Sequence, residues 1–341
     1  MEKNLYIERM QQGQRFDDLF LVKSIKLGET KAGKPYLVIT VMDKTGEVSG
    51  PVWDNVDQVR DICAVGDIVH LTGLVQSYRD QLQLRIESID AVDREEVDHG
   101  SFYPTSHRSR DKMAEELQKL LRSVKNPYLR KLLHRFFKRD DRLALFLDAP
   151  AAKGIHHAYI GGLLEHSLSV AAIADFLSSH YEGIDRCLLI TGALLHDIGK
   201  LEELKLDKGL VDYTVAGRLK GHLVIGSEMV AREAGRIKDF PKELLEQVQH
   251  LILSHHGRQE FGSPAVPMTV EAFMLSFLDD LDAKMNITEQ LRRKIEGQEM
   301  GWTEYQRSLE RFLYLGSIAG KKELESPPNK SAETSRQPTL F

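Results

Sequence analysis

Histidine and aspartate recur through the middle of this 341-residue chain where apolar periodicity would turn them inward. They are His166 in GGLLEHSLSVAAIADFL, His196 and Asp197 in GALLHDIGK, His222 in GHLVIGSEMVA, His255 and His256 in LILSHHG, and Asp279 in VEAFMLSFLDDLDAKM. Imidazole and carboxylate without thiolate suit a divalent cation such as Mn, Fe, Ni or Zn better than Mg. A single histidine on an apolar stripe is ordinary core chemistry, satisfied by a hydrogen bond. Several of them on separate segments are not, because each buried, unpaired imidazole or carboxylate costs several kcal/mol. Together they predict a metal site.

The elements that must bring them together are helices. Apolar residues at three-and-four spacing predict helices over 112–124, 128–138, 162–178, 186–197, 221–234, 242–254 and 270–285. His166 then lies beside Ser169, Val170 and Ile173, and His222 lines up with Ile225, Gly226 and Met229. His255 follows Val248, Leu251 and Ile252, and Asp279 stands one turn after Leu275. The helix before His196 is apolar almost all round, which makes it central, with Gly199 as its terminator.

From 15 to about 93 the pattern has period two, with turn residues between the runs. DLFLVKSIKLG reads as one strand; PYLVITVMD and EVSGPVWD flank Lys44-Thr45-Gly46; DIVHLTGLVQSY and LQLRIESIDAV flank Arg79-Asp80. Five strands in so short a stretch predict a small closed barrel, and this one resembles an OB-fold of the nucleic-acid-binding type. Such barrels hold single strands by stacking bases on aromatic rings. Tyr36, Trp53 and Tyr78 are the candidates for that role, against the competing role of half-buried strand aromatics in the core. The polar segment that follows reads as a linker. The expected division is a barrel over 1–95, a linker over 96–110, an all-α domain over 111–318, and a disordered tail over 319–341 too poor in apolar residues to pack.

The order His, His-Asp, His, His-His, Asp resembles the HD-domain phosphohydrolase superfamily. That resemblance implies His166, His196, Asp197 and Asp279 as ligands of one cation. His222, His255 and His256 resemble the additional ligands of members that hold two. Whether His255, His256 or both ligate stays open, as does the choice between Asp279 and Asp280. Leu278 stands where the superfamily commonly has a small residue. An OB barrel ahead of AAKGIHHAYIGGLLEHSLSV, LLHDIGK, KGHLVIG, SHHGRQEFGSPAVPMTVEAF and DDLDAKM is similar to the YhaM-type 3'-5' exoribonucleases of bacteria, over roughly residues 5 to 315. The resemblance implies two divalent cations, Mn foremost, bridged by Asp197. It also implies hydrolysis of single-stranded RNA from its 3' end to nucleoside 5'-monophosphates, with single-stranded DNA left open as a substrate. Lys200 reads as a phosphate contact or a salt-bridge partner. His156 and His157 read as phosphate contacts or proton donors to the leaving group.

Bulk properties narrow the field. A net charge of −5 and a pI near 6.2 exclude a protein that coats nucleic acid by charge alone. Between 100 and 143, however, twelve Lys or Arg stand against five acids. This is a phosphate-tracking patch, with Arg108 and Arg110 as candidate contacts, or a solvated helical face. Two distant cysteines, Cys63 and Cys187, offer neither a disulfide framework nor a thiolate metal site. No apolar stretch is long enough to span a membrane and the first residues lack a secretory core, so a cytoplasmic protein is expected. Two rival readings are a phosphohydrolase of free nucleotides or cyclic dinucleotides, and a non-catalytic single-strand-binding adaptor. The terminal QPTLF, 337–341, resembles peptides that dock on the sliding clamp, and a homo-oligomer is compatible with the sequence.

Overall fold

A computed structural model of the protein describes residues 2–30, 32–79, 81–138, 140–153, 157–208, 210–294 and 301–315. His156 and the QPTLF peptide lie outside the described residues. Strands β1 (Arg15–Glu29), β2 (Pro35–Asp43) and β3 (Gly46–Val52), helix α1 (Val56–Ile62), and strands β4 (Ile68–Tyr78) and β5 (Gln81–Ala91) come first. The strands close a barrel in the order β1-β2-β3-β5-β4, as the alternation predicts. Every second residue of β2, namely Leu37, Ile39 and Val41, is buried against Phe20, Leu71 and Leu84. Strand β1 is long enough to pair with both β4 and β2, and an irregularity between Val22 and Ser24 turns it from one partner to the other. At a second irregularity, in β4, any side chain at Gly73 would lie 2.1 Å from the Arg85 carbonyl, so only glycine lets the strands approach there.

The connection after the barrel is not a solvated spacer. Val97, Phe102 and Tyr103 are buried against Leu19, Leu21 and Ile68 on the barrel wall, with Ile160 and Leu210 packed alongside. The Tyr103 hydroxyl donates to the Lys208 carbonyl at 3.0 Å. Two adjacent aromatic residues in an otherwise polar run thus tie barrel to helices.

Helices α2 (Arg110–Ser123), α3 (Pro127–Phe137), α4 (Asp140–Asp148), α5 (Gly162–His180), α6 (Arg186–Leu195) and α7 (Lys200–Glu203) follow. After them come a hairpin of β6 (Leu204–Asp207) and β7 (Leu210–Tyr213), then α8 (Val215–Ala234), α9 (Lys242–Ser254) and α10 (Val270–Lys294). The sequence reading lacked α4 and the β6–β7 hairpin. Helix α6 begins where the Asp185 side chain accepts the Leu188 N–H, and it is buried from Leu188 to Leu195, as befits a central helix. Helix α8 starts six residues earlier than predicted and breaks at Gly221, whose φ of 72° and ψ of 160° are not helical. The chain divides at Asn286 into a large unit and a short one. The short unit holds a hairpin of β8 (Gly301–Trp302) and β9 (Tyr314–Leu315). Among the described residues, no helix is long and apolar enough to cross a membrane.

Four cations of the basic stretch, Arg108, Arg110, Arg135 and Arg142, pair with carboxylates. Arg108 donates to both oxygens of Glu116 at 2.7 and 2.6 Å, and Arg110 to both of Asp148 at 2.7 and 3.1 Å. Both guanidiniums pair with carboxylates while staying partly exposed. Arg135, Arg236 and Arg142 surround the buried Glu233 carboxylate at 2.6, 2.7 and 3.4 Å. Removing that one charge strands three cations. Glu233→Gln is expected to cost about 3 kcal/mol, read as a lower urea midpoint. A midpoint equal to that of the natural chain would refute it.

Candidate metal centre

Five segments deliver the predicted side chains to one place. His166 projects from α5, and its Nε2 lies 3.1 Å from Asp279 Oδ1 on α10 and 3.7 Å from Asp197 Oδ2. His196 closes α6, where its Nδ1–H donates to the Ala193 carbonyl at 2.9 Å and leaves Nε2 as the lone-pair nitrogen. That Nε2 is 3.4 Å from Asp197 Oδ2, 3.8 Å from Asp279 Oδ1 and 3.0 Å from His166 Nε2. The ligand atoms of His166, His196 and Asp197 all lie within 4.8 Å of one another.

The other Asp197 oxygen faces a second group. Oδ1 is 3.4 Å from His222 Nε2 and 3.7 Å from His255 Nε2. His255 closes α9 as His196 closes α6, its Nδ1–H donating to the Ile252 carbonyl at 2.8 Å. His256 donates from Nδ1 to the Phe261 carbonyl at 3.0 Å. The nitrogens of His222, His255 and His256 form a further cluster within 4.8 Å, so both adjacent histidines face the site.

His222 reaches the site through the break in α8. Gly221 frees the His222 backbone N–H, which donates to Glu203 Oε1 at 3.0 Å, and His222 Nδ1 lies 3.1 Å from the same oxygen. Glu203 thus turns His222 Nε2 toward Asp197. The sequence reading did not include Glu203; its signal was a carboxylate one turn beyond Lys200.

Electrostatics and unmet hydrogen bonding both fit a cation. Burial would raise the Asp197 carboxyl, yet Lys200, His196 and His222 hold it well below the usual carboxylate range. Burial would also raise Asp279, but the hydrogen bond from His166 keeps it far below that range. Burial and the neighbouring His196 push His255 well down, so it is neutral with a free lone pair. Burial alone would lower His166, whereas Asp279 and Asp282 push it up to about 10, so the metal-free imidazole carries a proton that a cation bound there would displace. Among the described residues, Asp197 Oδ1, His222 Nε2 and His255 Nε2 are buried atoms with no hydrogen-bond partner. Three convergent acceptors left unsatisfied are unfavourable without a cation among them.

Comparison with known proteins gives the same division. Residues 163–284 match the HD domain and residues 21–92 match an OB-fold nucleic acid binding domain. The 3'-5' exoribonuclease YhaM of Geobacillus sp. (strain WCH70) is 33% identical over 84% of this chain and 88% of its own. Those of Bacillus subtilis (strain 168) and Bacillus velezensis are each 34% identical over 84% of this chain and 90% of theirs. The chain belongs to the YhaM family.

An HD domain in a YhaM-family chain implies dependence on a divalent metal, and the matched segment contains every described histidine and aspartate of the two clusters. The remaining candidates fall into different places. Asp280 points away and pairs with Lys284 at 2.5 Å, so Asp279 is the aspartate that reaches the cluster. Lys200 is buried and donates to Asp197 Oδ2 at 2.6 Å. His157 is buried behind His166, with Nε2 3.0 Å from Asp282 Oδ2 and Nδ1 2.9 Å from the Tyr159 hydroxyl. Both of its ring nitrogens are occupied, which removes it from phosphate contact.

On the barrel Trp53 and Tyr78 are open, and Tyr36 is half-buried. Trp53 is 52% exposed and Tyr78 57%. Tyr36 and Trp53 stack with centroids 4.7 Å apart, and the Tyr36 ring lies so close over Gly28 that a side chain there would meet it at 2.5 Å.

Proposed function

We infer that this chain is a metal-dependent 3'-5' exoribonuclease that hydrolyses single-stranded RNA to nucleoside 5'-monophosphates. The observation that carries the chemistry is Asp197, one carboxylate whose two oxygens face two separate histidine groups. In this reading His166, His196, Asp279 and Asp197 Oδ2 hold one cation, and His222, His255, His256 and Asp197 Oδ1 a second. A nitrogen-rich donor set of this kind favours Mn, Fe, Ni or Zn over Mg, and Mn is our first choice. Bound divalent cations supply Lewis acidity, lowering the pKa of water and neutralising phosphodiester oxygens.

The chain's own groups prepare that chemistry. Backbone carbonyls hold His196 and His255 in the tautomer that presents Nε2, and Glu203 does the same for His222. Lys200 orients Asp197 and offsets its charge. The barrel, over about 1–95, captures the strand on Tyr36, Trp53 and Tyr78. Residues 96–110 join it to the helical domain, 111–318, which cleaves.

Matched RNA and DNA oligonucleotides labelled at the 5' end test the reading. Progressive shortening of the RNA from its 3' end in the presence of Mn²⁺ is expected. An intact ladder together with phosphate release from mononucleotides would instead favour a nucleotide phosphohydrolase. Trp53→Ala is expected to weaken binding of long single strands by about 1–3 kcal/mol, roughly 5- to 150-fold, measured by fluorescence anisotropy. Its effect on cleavage of a dinucleotide is expected to be smaller. Equal losses on both would contradict the division of labour.

A further inference from the structure

We propose that Asp282 is the positioning residue for His166, acting through a buried network behind the metal centre. The proposal rests on the functional reading above. Asp282 lies one turn beyond Asp279 on α10 and is 7% exposed. Its Oδ2 lies 2.7 Å from His166 Nδ1 and 3.0 Å from His157 Nε2, and its Oδ1 accepts the Ser169 hydroxyl. A carboxylate has no proton to give, so His166 donates from Nδ1, which leaves Nε2 as the nitrogen that would bind a cation beside Asp197 and Asp279. Asp282 is not itself aimed at that point. It acts through the imidazole it holds.

The support continues outward. The His157 backbone N–H donates to Asn286 Oδ1 at 3.0 Å, and Asn286 Nδ2 donates to the Tyr159 hydroxyl at 3.1 Å. That hydroxyl in turn donates to Glu165 Oε2 at 3.0 Å, on the residue preceding His166. His157 adopts a left-handed φ of 48°, unusual for a residue with a side chain, and its carbonyl would lie 2.0 Å from any Cβ at Gly162. The segment before α5 is thereby wedged against the helix start with its imidazole under Asp282. The network joins α5 to α10 on the side of His166 away from Asp197.

The test compares the full-length chain with Asp282→Asn, which keeps the shape but not the charge, and with Ser169→Ala, which removes only the donor to Oδ1. Affinity for Mn²⁺ is measured by equilibrium dialysis. The geometry of the first site is followed through the visible absorption of the Co²⁺-loaded protein, and RNA hydrolysis is titrated with Mn²⁺. Asp282→Asn is expected to bind Mn²⁺ about 10- to 100-fold more weakly. It should show an altered Co²⁺ spectrum and recover much of its rate at saturating Mn²⁺. Ser169→Ala is expected to show the same signature at a few-fold, which keeps the proposal testable should Asp282→Asn fail to fold. Natural affinity and an unchanged spectrum in either folded variant would overturn the role of Asp282. If the natural chain binds metal without cleaving RNA, the functional reading fails separately, and the spectra still decide the positioning role.

Discussion

Asp197→Asn is expected to cleave RNA at least about 10³-fold more slowly than the natural chain while keeping its fold. The size follows from the work assigned to one side chain. Asp197 Oδ2 sits among His166, His196 and Lys200, and Oδ1 among His222 and His255. Metal-assisted catalysis contributes several kcal/mol, and each 1.36 kcal/mol is about tenfold in rate. An asparagine keeps an oxygen for Lys200 but sets an NH2 where the second oxygen faced two lone-pair nitrogens. The replacement therefore removes the bridge and half the charge balance while leaving the core packing intact. Single-turnover assays with labelled RNA, paired with circular dichroism melting and metal analysis, give the three readings needed. Hydrolysis within tenfold of the natural rate in a folded, metal-depleted variant would rule out Asp197 as the common ligand.

Exhaustive chelation is the second large effect. Hydrolysis is expected to fall to background and to return on adding Mn²⁺, with Mg²⁺ a poor substitute because most of the donors are imidazole nitrogens. Stability should follow the same titration. A ligand that binds only the folded chain at a hundred times its Kd adds about 2.7 kcal/mol, and a domain of this size gains roughly 2–4 °C in Tm per kcal/mol. The physical source is the relief of Asp197 Oδ1, His222 Nε2 and His255 Nε2, which have no hydrogen-bond partner. Unchanged melting and undiminished cleavage after chelation, with no metal detected in the protein, would remove the metal centre altogether.

The sequence was most informative where burial dictates pattern. Alternation along β2 and β4 leaves one face no choice but the barrel interior, so strand limits and hairpins were legible. His166, His222 and His255 were legible because each lies on a stripe that must face inward. The partners that orient them were harder to see. Asp282 shares a helical face with Asp279, and nothing in their spacing says which meets a cation and which meets His166. Glu203 looked like any acid near a helix end. Long-range pairing was invisible for the same reason: Arg135 and Glu233 are 98 residues apart, so nothing local announced that they meet. Phe102 and Tyr103 were masked by polar neighbours.

The break in α8 carries one more implication. At φ 72° and ψ 160° Gly221 occupies a conformation essentially closed to the other nineteen amino acids, yet the space around its α-carbon is open. The orientation of His222 is thus governed by a torsion angle rather than by a neighbouring atom, and no compensating change elsewhere in the packing can replace a glycine there. The half of the centre around His222 is consequently brittle to a single-codon change that leaves every ligand in place.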